Sequence, residues 1–99
     1  MILSKKHNLL VIGRHGGMLA SVLEMLHTNG YDATGCTTDA QAIEMFNTLL
    51  PDAVVIGGGV EASSRALFHN QFSHTKPDAV IIDAHPNTLL QELHQALGK

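Results

Sequence analysis

The stretch P51-D-A-V-V-I-G-G-G-V60 decides the fold. Its apolar run, Ala53 to Ile56, is short, continuous and rich in β-branched residues, and it stops at three glycines. A run of this kind, without polar alternation, is how a strand reads when both of its faces are covered. A second copy follows at P77-D-A-V-I-I-D83, which ends instead in a carboxylate. An earlier run, N8-L-L-V-I-G13, has the same character, and Y31-D-A-T-G-C-T37 is a weaker relative. Asp32, Asp52 and Asp78 each stand at the point where a polar loop gives way to a buried strand.

Helical patterns separate these runs. In residues 16–30, Leu19, Val22, Leu23 and Leu26 recur at helical spacing, and Gly30 stands at the place of a C-terminal capping glycine. In residues 37–51, Thr38 and Gln41 match a capping box, Ile43, Phe46 and Leu50 form the apolar stripe, and Pro51 closes the segment. A third helix is expected from about Glu61, carrying Leu67, Phe68 and Phe72, and a fourth carries Leu89, Leu90, Leu93 and Leu97. Met18, Met25 and Met45 fall at core spacings. Four β-α units in succession predict parallel pairing through right-handed crossovers. The expected fold is therefore an α/β protein, a three-layer α/β/α sandwich on a four-stranded parallel sheet of order 2-1-3-4. Residues 1–99 read as one domain.

Composition narrows the function. The chain has 99 residues, 44% hydrophobic and 15% charged, with a net charge of -3. That balance gives no electrostatic reason to seek nucleic acid. No apolar run reaches membrane-spanning length, and the run Leu9 to Ile12 is too short for a secretory h-region, so no membrane association and a cytoplasmic location are expected. The single cysteine, Cys36, leaves no intramolecular disulfide and no cysteine pair for zinc.

In open parallel sheets, ligands bind beyond the carboxyl ends of the strands, where strand order reverses. In order 2-1-3-4 that point lies between the first and third strands. The loops there are Gly13, Arg14, His15, Gly16, Gly17 and Gly57, Gly58, Gly59. Both lead into helix N-termini, whose free N–H groups and dipole favour anions. These eight residues are the candidate site for a phosphate or nucleotide, with Arg14 as a flexible cation and Asp83 and His85 as accessory groups. Neither loop is a Walker motif or a G-x-G-x-x-G fingerprint. No metal is expected: among seven histidines no H-x-x-x-H or H-x-H spacing occurs, and the first and fourth strand ends lie about 10 Å apart at ~4.8 Å per strand. Ser63, Ser64 and Cys36 have no assigned base, so no catalytic constellation and no cofactor are expected.

On the stretch L49-L-P-D-A-V-V-I-G57 the chain resembles the receiver domain of response regulators. The resemblance puts that family's phosphorylated Asp at Gly57, its metal-holding acids at Gly13 and Arg14, and its conserved Thr or Ser at Asp83. It implies a pseudo-receiver: a signalling or binding module with a protein partner and no phosphoacceptor. The chain is also similar to the EIIB component of lactose- and cellobiose-type sugar phosphotransferase systems. There G13-R-H-G16 stands for that family's C-x-x-G loop, with Gly13 at the nucleophile and Gly16 at the glycine. Both resemblances imply a phosphotransfer scaffold without its acceptor. The fourth strand is an apolar edge with no Lys or Pro inside it, so a homodimer is expected.

Overall fold

The computed structural model describes residues 7–83 and 88–97. His85 and Pro86 lie outside the described residues. Four strands, β1 (Asn8–Ile12), β2 (Asp32–Cys36), β3 (Ala53–Ile56) and β4 (Val80–Asp83), alternate with helices α1 (Gly16–Thr28), α2 (Asp39–Leu49), α3 (Ala62–Thr75) and α4 (Leu89–Leu97). All strand pairs are parallel and the sheet order is β2-β1-β3-β4. This is the flavodoxin-like order, with the reversal between β1 and β3.

Alternating residues of the central strands feed two cores. Leu9, Val11, Ala53 and Val55 point to one face, where Leu26 of α1 and Leu89 and Leu93 of α4 cover them. Leu10, Ile12, Val54 and Ile56 point to the other, against Ala42 and Phe46 of α2 and Phe68 and Phe72 of α3. The result is helix pair, sheet, helix pair. The α2–α3 side is closed by aromatic stacking: the rings of Phe46 and Phe72 lie 4.1 Å apart, and those of Phe68 and Phe72 lie 5.4 Å apart. Truncating one such fully buried ring costs about 3–5 kcal/mol.

Local signals explain the element ends. Gly30 has φ +90°, and Tyr31 and Gly30 donate their N–H groups to the carbonyls of Leu26 and His27, completing a Schellman motif after α1. Thr38 accepts the N–H of Gln41 at 3.2 Å, while the Gln41 side chain accepts from Thr37, one residue earlier than in the standard box. Asp52 answers the polar-before-strand pattern directly: its carboxylate accepts the N–H of Asn8 at 2.8 Å and so ties the starts of β1 and β3.

Two apolar assignments from periodicity change. Leu50 is not part of the α2 stripe; it is the left-handed C-cap, with φ 46°, and is 48% exposed. Pro51 disfavours helical backbone at the preceding residue, so the chain turns away before Leu50 reaches the core. Met18 is 60% exposed in the first turn of α1, over a crevice rather than a partner. No helix among the described residues is long and apolar enough to cross a membrane.

Candidate functional site

The first strand turn brings Gly13–Gly17 beside the loop Gly57–Gly59. A β-carbon on Gly59 would lie 3.6 Å from the His15 ring and 3.7 Å from the Arg14 side chain, so the two loops touch across the switch point. Between them and α4 opens a crevice of about 710 Å³. Its lining reaches down to the buried Val11, Val55 and Leu89 of the α1–α4 core, and the exposed Met18 and the half-buried Leu19 and Val22 form its α1 side. Six of the eight loop residues proposed from the sequence line it; Gly16 and Gly17, on the first turn of α1, do not. Asp83 also lines it.

The glycines have different reasons. At Gly57 a β-carbon would come within 3.2 Å of the Ile12 carbonyl oxygen, which itself accepts the Gly57 N–H at 2.8 Å. The close approach of β1 and β3 thus accounts for glycine at this position. At Gly16, Gly17 and Gly58 a β-carbon would meet nothing within 4 Å. Among the described residues Gly30 is the one glycine with positive φ, so backbone strain does not explain these three either.

Arg14 is not the flexible cation the sequence suggests. Its guanidinium leaves the crevice for the gap between α2 and α3, donating to Asp39 Oδ1 at 2.5 Å, the Thr37 carbonyl at 2.7 Å, Glu61 Oε1 at 3.0 Å and Ser64 Oγ at 3.1 Å. Ser64, 4% exposed, donates its own proton to Asp39 Oδ2 at 2.7 Å. The hydrogen bond with Asp39 raises the Arg14 pKa above its ordinary value, against the opposing effect of burial. Hydrogen bonds from Ser64 and then Arg14 hold the Asp39 carboxyl below its ordinary value. Glu61, the N-cap of α3, is lowered by a bond from its own backbone N–H and then by Arg14. A planar fork of donors suits this many acceptors at once.

A second arginine, which sequence reasoning missed, does the same work on the other side. Arg65 of α3 donates to the Gly57 carbonyl at 2.6 Å, the Val60 carbonyl at 3.0 Å and Asp83 Oδ1 at 2.7 Å. It therefore clamps the glycine loop to the end of β4. The only signal available in the sequence was its place one turn into the third helix, directly after that loop.

The remaining candidates separate. Asp83 is paired with Arg65, and His69 Nε2 approaches the same oxygen at 3.8 Å. His27 bonds the Ala33 carbonyl at 2.8 Å, and His15 is the α1 N-cap without a side-chain cap bond. Cys36 is buried, and desolvation pushes its thiol up to about 11, with opposite smaller influences from Arg14 and Asp39. It is a core residue and not a nucleophile at neutral pH. Among the described residues, no group of three or more His, Cys, Asp or Glu side chains is placed to hold a metal. Compared with known proteins, the chain matches no family model and no curated protein.

Proposed function

We propose that this protein is a non-catalytic, receiver-like binding module that engages a signalling partner or ligand at the carboxyl edge of its sheet without phosphoryl transfer. One observation carries the reading. The acids described at that edge are each engaged with an arginine: Asp39 and Glu61 with Arg14, and Asp83 with Arg65. A phosphoryl acceptor or general base needs a carboxylate free to meet the incoming group. Here the carboxylates fasten loops to one another, and Gly57 and Gly13 stand where the two resembling families keep their acceptors. A rigid, neutralised rim of this kind suits recognition rather than turnover. A cytoplasmic location belongs to the same proposal, since Cys36 is a buried free thiol.

The test is intact-mass measurement after incubation with acetyl phosphate and magnesium, and separately with a phosphoenolpyruvate-charged histidine carrier. The mass is expected to stay unchanged. A stoichiometric gain of one phosphoryl group would overturn the proposal, and peptide mapping would name the acceptor.

A further inference from the structure

The two faces of the sheet are covered unequally. On one, α2 and α3 close over Phe46, Phe68 and Phe72 and are fastened by the bonds of Arg14 and Ser64 to Asp39. On the other, α1 and α4 bring leucine, valine and methionine, and two grooves of about 710 and 430 Å³ run along α1, with Leu89 of α4 lining both. Leu89 and Leu93 of α4 are buried there, and Leu90 and Leu97 are half-covered. Among the described residues no hydrogen bond or ion pair joins Leu89–Leu97 to another element; Glu92 is held by Thr88 at the helix's own start.

Beside α4 lies an unmet polar group. Tyr31, between α1 and β2, is 4% exposed and belongs to the same core as Leu89 and Leu93; its ring lies 6.4 Å from that of His94 on α4, tilted by 53°. Among the described residues its hydroxyl is the one buried side-chain polar atom without a hydrogen-bond partner. Buried tyrosine hydroxyls ordinarily find a partner, because stranding one forfeits its bonds to water. The same burial raises the Tyr31 pKa above its ordinary value. Docking α4 therefore sets a gain against a loss: four leucines leave water, and a hydroxyl leaves it with them.

We propose that α4 is a detachable flap: it lifts from the sheet as a separate cooperative unit, far more readily than the domain unfolds, and water then reaches the Tyr31 hydroxyl. Lifting breaks no strand pairing and leaves the core of Phe46, Phe68 and Phe72 closed. It uncovers the apolar face formed by Val11, Val55 and Ile82, which α4 otherwise conceals. Segments held by a few aliphatic contacts and no polar bonds to their neighbours are the ones that open sub-globally. The inference stands independently of the non-catalytic reading.

The test is native-state amide hydrogen exchange read by NMR. In the wild type, the amides of Leu93, His94 and Leu97 are expected to exchange together, at least about tenfold faster than those of Val11 and Val55 once intrinsic rates are removed. Tyr31→Phe keeps the ring and removes the stranded hydroxyl, so it is expected to slow α4 exchange at least about fivefold. Fraying from the helix end would not respond to Tyr31. A smaller difference between α4 and the central strands would overturn the proposal, and so would α4 exchange that Tyr31→Phe fails to slow by that factor. If the hydroxyl were released only on global unfolding, Tyr31→Phe would slow Val11 and Val55 alone. An independent measurement uses Leu93→Cys, a disulfide exchange reagent and peptide mapping. The thiol introduced at position 93 is expected to react at least about tenfold faster than Cys36, which lies in the opposite core. Reaction of both thiols at one rate, in a variant that keeps native amide dispersion, would also overturn the flap. Should that variant not fold, the exchange of wild type and Tyr31→Phe decides.

Discussion

Replacing Arg14 by methionine keeps the aliphatic stem and removes the guanidinium, and its cost follows from what the fork holds. The Asp39 bond at 2.5 Å and the Thr37 carbonyl bond at 2.7 Å are short and charge-assisted, on a side chain that is 20% exposed. Bonds to charged groups contribute about 1.5–3 kcal/mol each when buried, and exposed pairs only about 0–1. Asp39 is 38% exposed, so screening places its bond toward the lower end. Together these two contacts stabilise the fold by about 2 kcal/mol. For a domain of this size that corresponds to a fall in Tm of roughly 8–16 °C. The pH dependence has a definite sign. Asp39 and Glu61 have folded-state pKa values below their ordinary ones, so the unfolded chain binds more protons through that range and stability rises with pH. Their contribution is fully present above the usual carboxylate range of about 3.9–4.3 and is lost as pH falls through the lowered folded values. Urea denaturation of wild type and Arg14→Met is the assay. The difference is expected to be full at neutral pH and to shrink in strong acid. Arg14→Lys, which cannot span four acceptors, is expected to recover little of it. A variant within about 0.5 kcal/mol of wild type at neutral pH would refute the clasp and return Arg14 to the solvent.

Gly57→Ala is expected to destabilise by about 1–3 kcal/mol, because its β-carbon meets the Ile12 backbone oxygen at 3.2 Å and a strand end must move; urea midpoints measure it, and an unaffected midpoint would remove the close-approach explanation. Cys36, buried with its thiol raised to about 11, is expected to resist a disulfide exchange reagent at neutral pH until the protein unfolds; prompt stoichiometric reaction of the native protein would refute its core assignment. Among the described residues β4 pairs on one side only, with β3, and a symmetric dimer through its outer edge is expected at high micromolar concentration. Light scattering from a strict monomer would dismiss it.

Local pattern alone carried much of this architecture. The continuous apolar runs ending at Ile12, Ile56 and Asp83 marked the strands, the stripes through Leu26, Phe46, Phe72 and Leu93 marked the helices, and Gly30 marked a left-handed helix end. Those features are legible because each is set by neighbours within about two helical turns, and handedness then restricts how β-α units can join. The gathering of residues 13–17 and 57–59 followed from the same topology. What the site is made of did not. Arg14 finds Thr37, Asp39, Glu61 and Ser64 at sequence separations of 23 to 50 residues, and Arg65 finds Asp83 at a separation of 18. An arginine's long, flexible stem reaches whatever the fold places around it, and no local spacing records which acceptors those are. Leu50 and Met18 fell on apolar stripes yet face solvent, because a proline turn and an uncovered crevice decide their surroundings. Sequence determined which loops would meet at the carboxyl edge of the sheet; only the tertiary arrangement paired Arg14 with Asp39 and Glu61, and Arg65 with Asp83, because those partners are far apart along the chain.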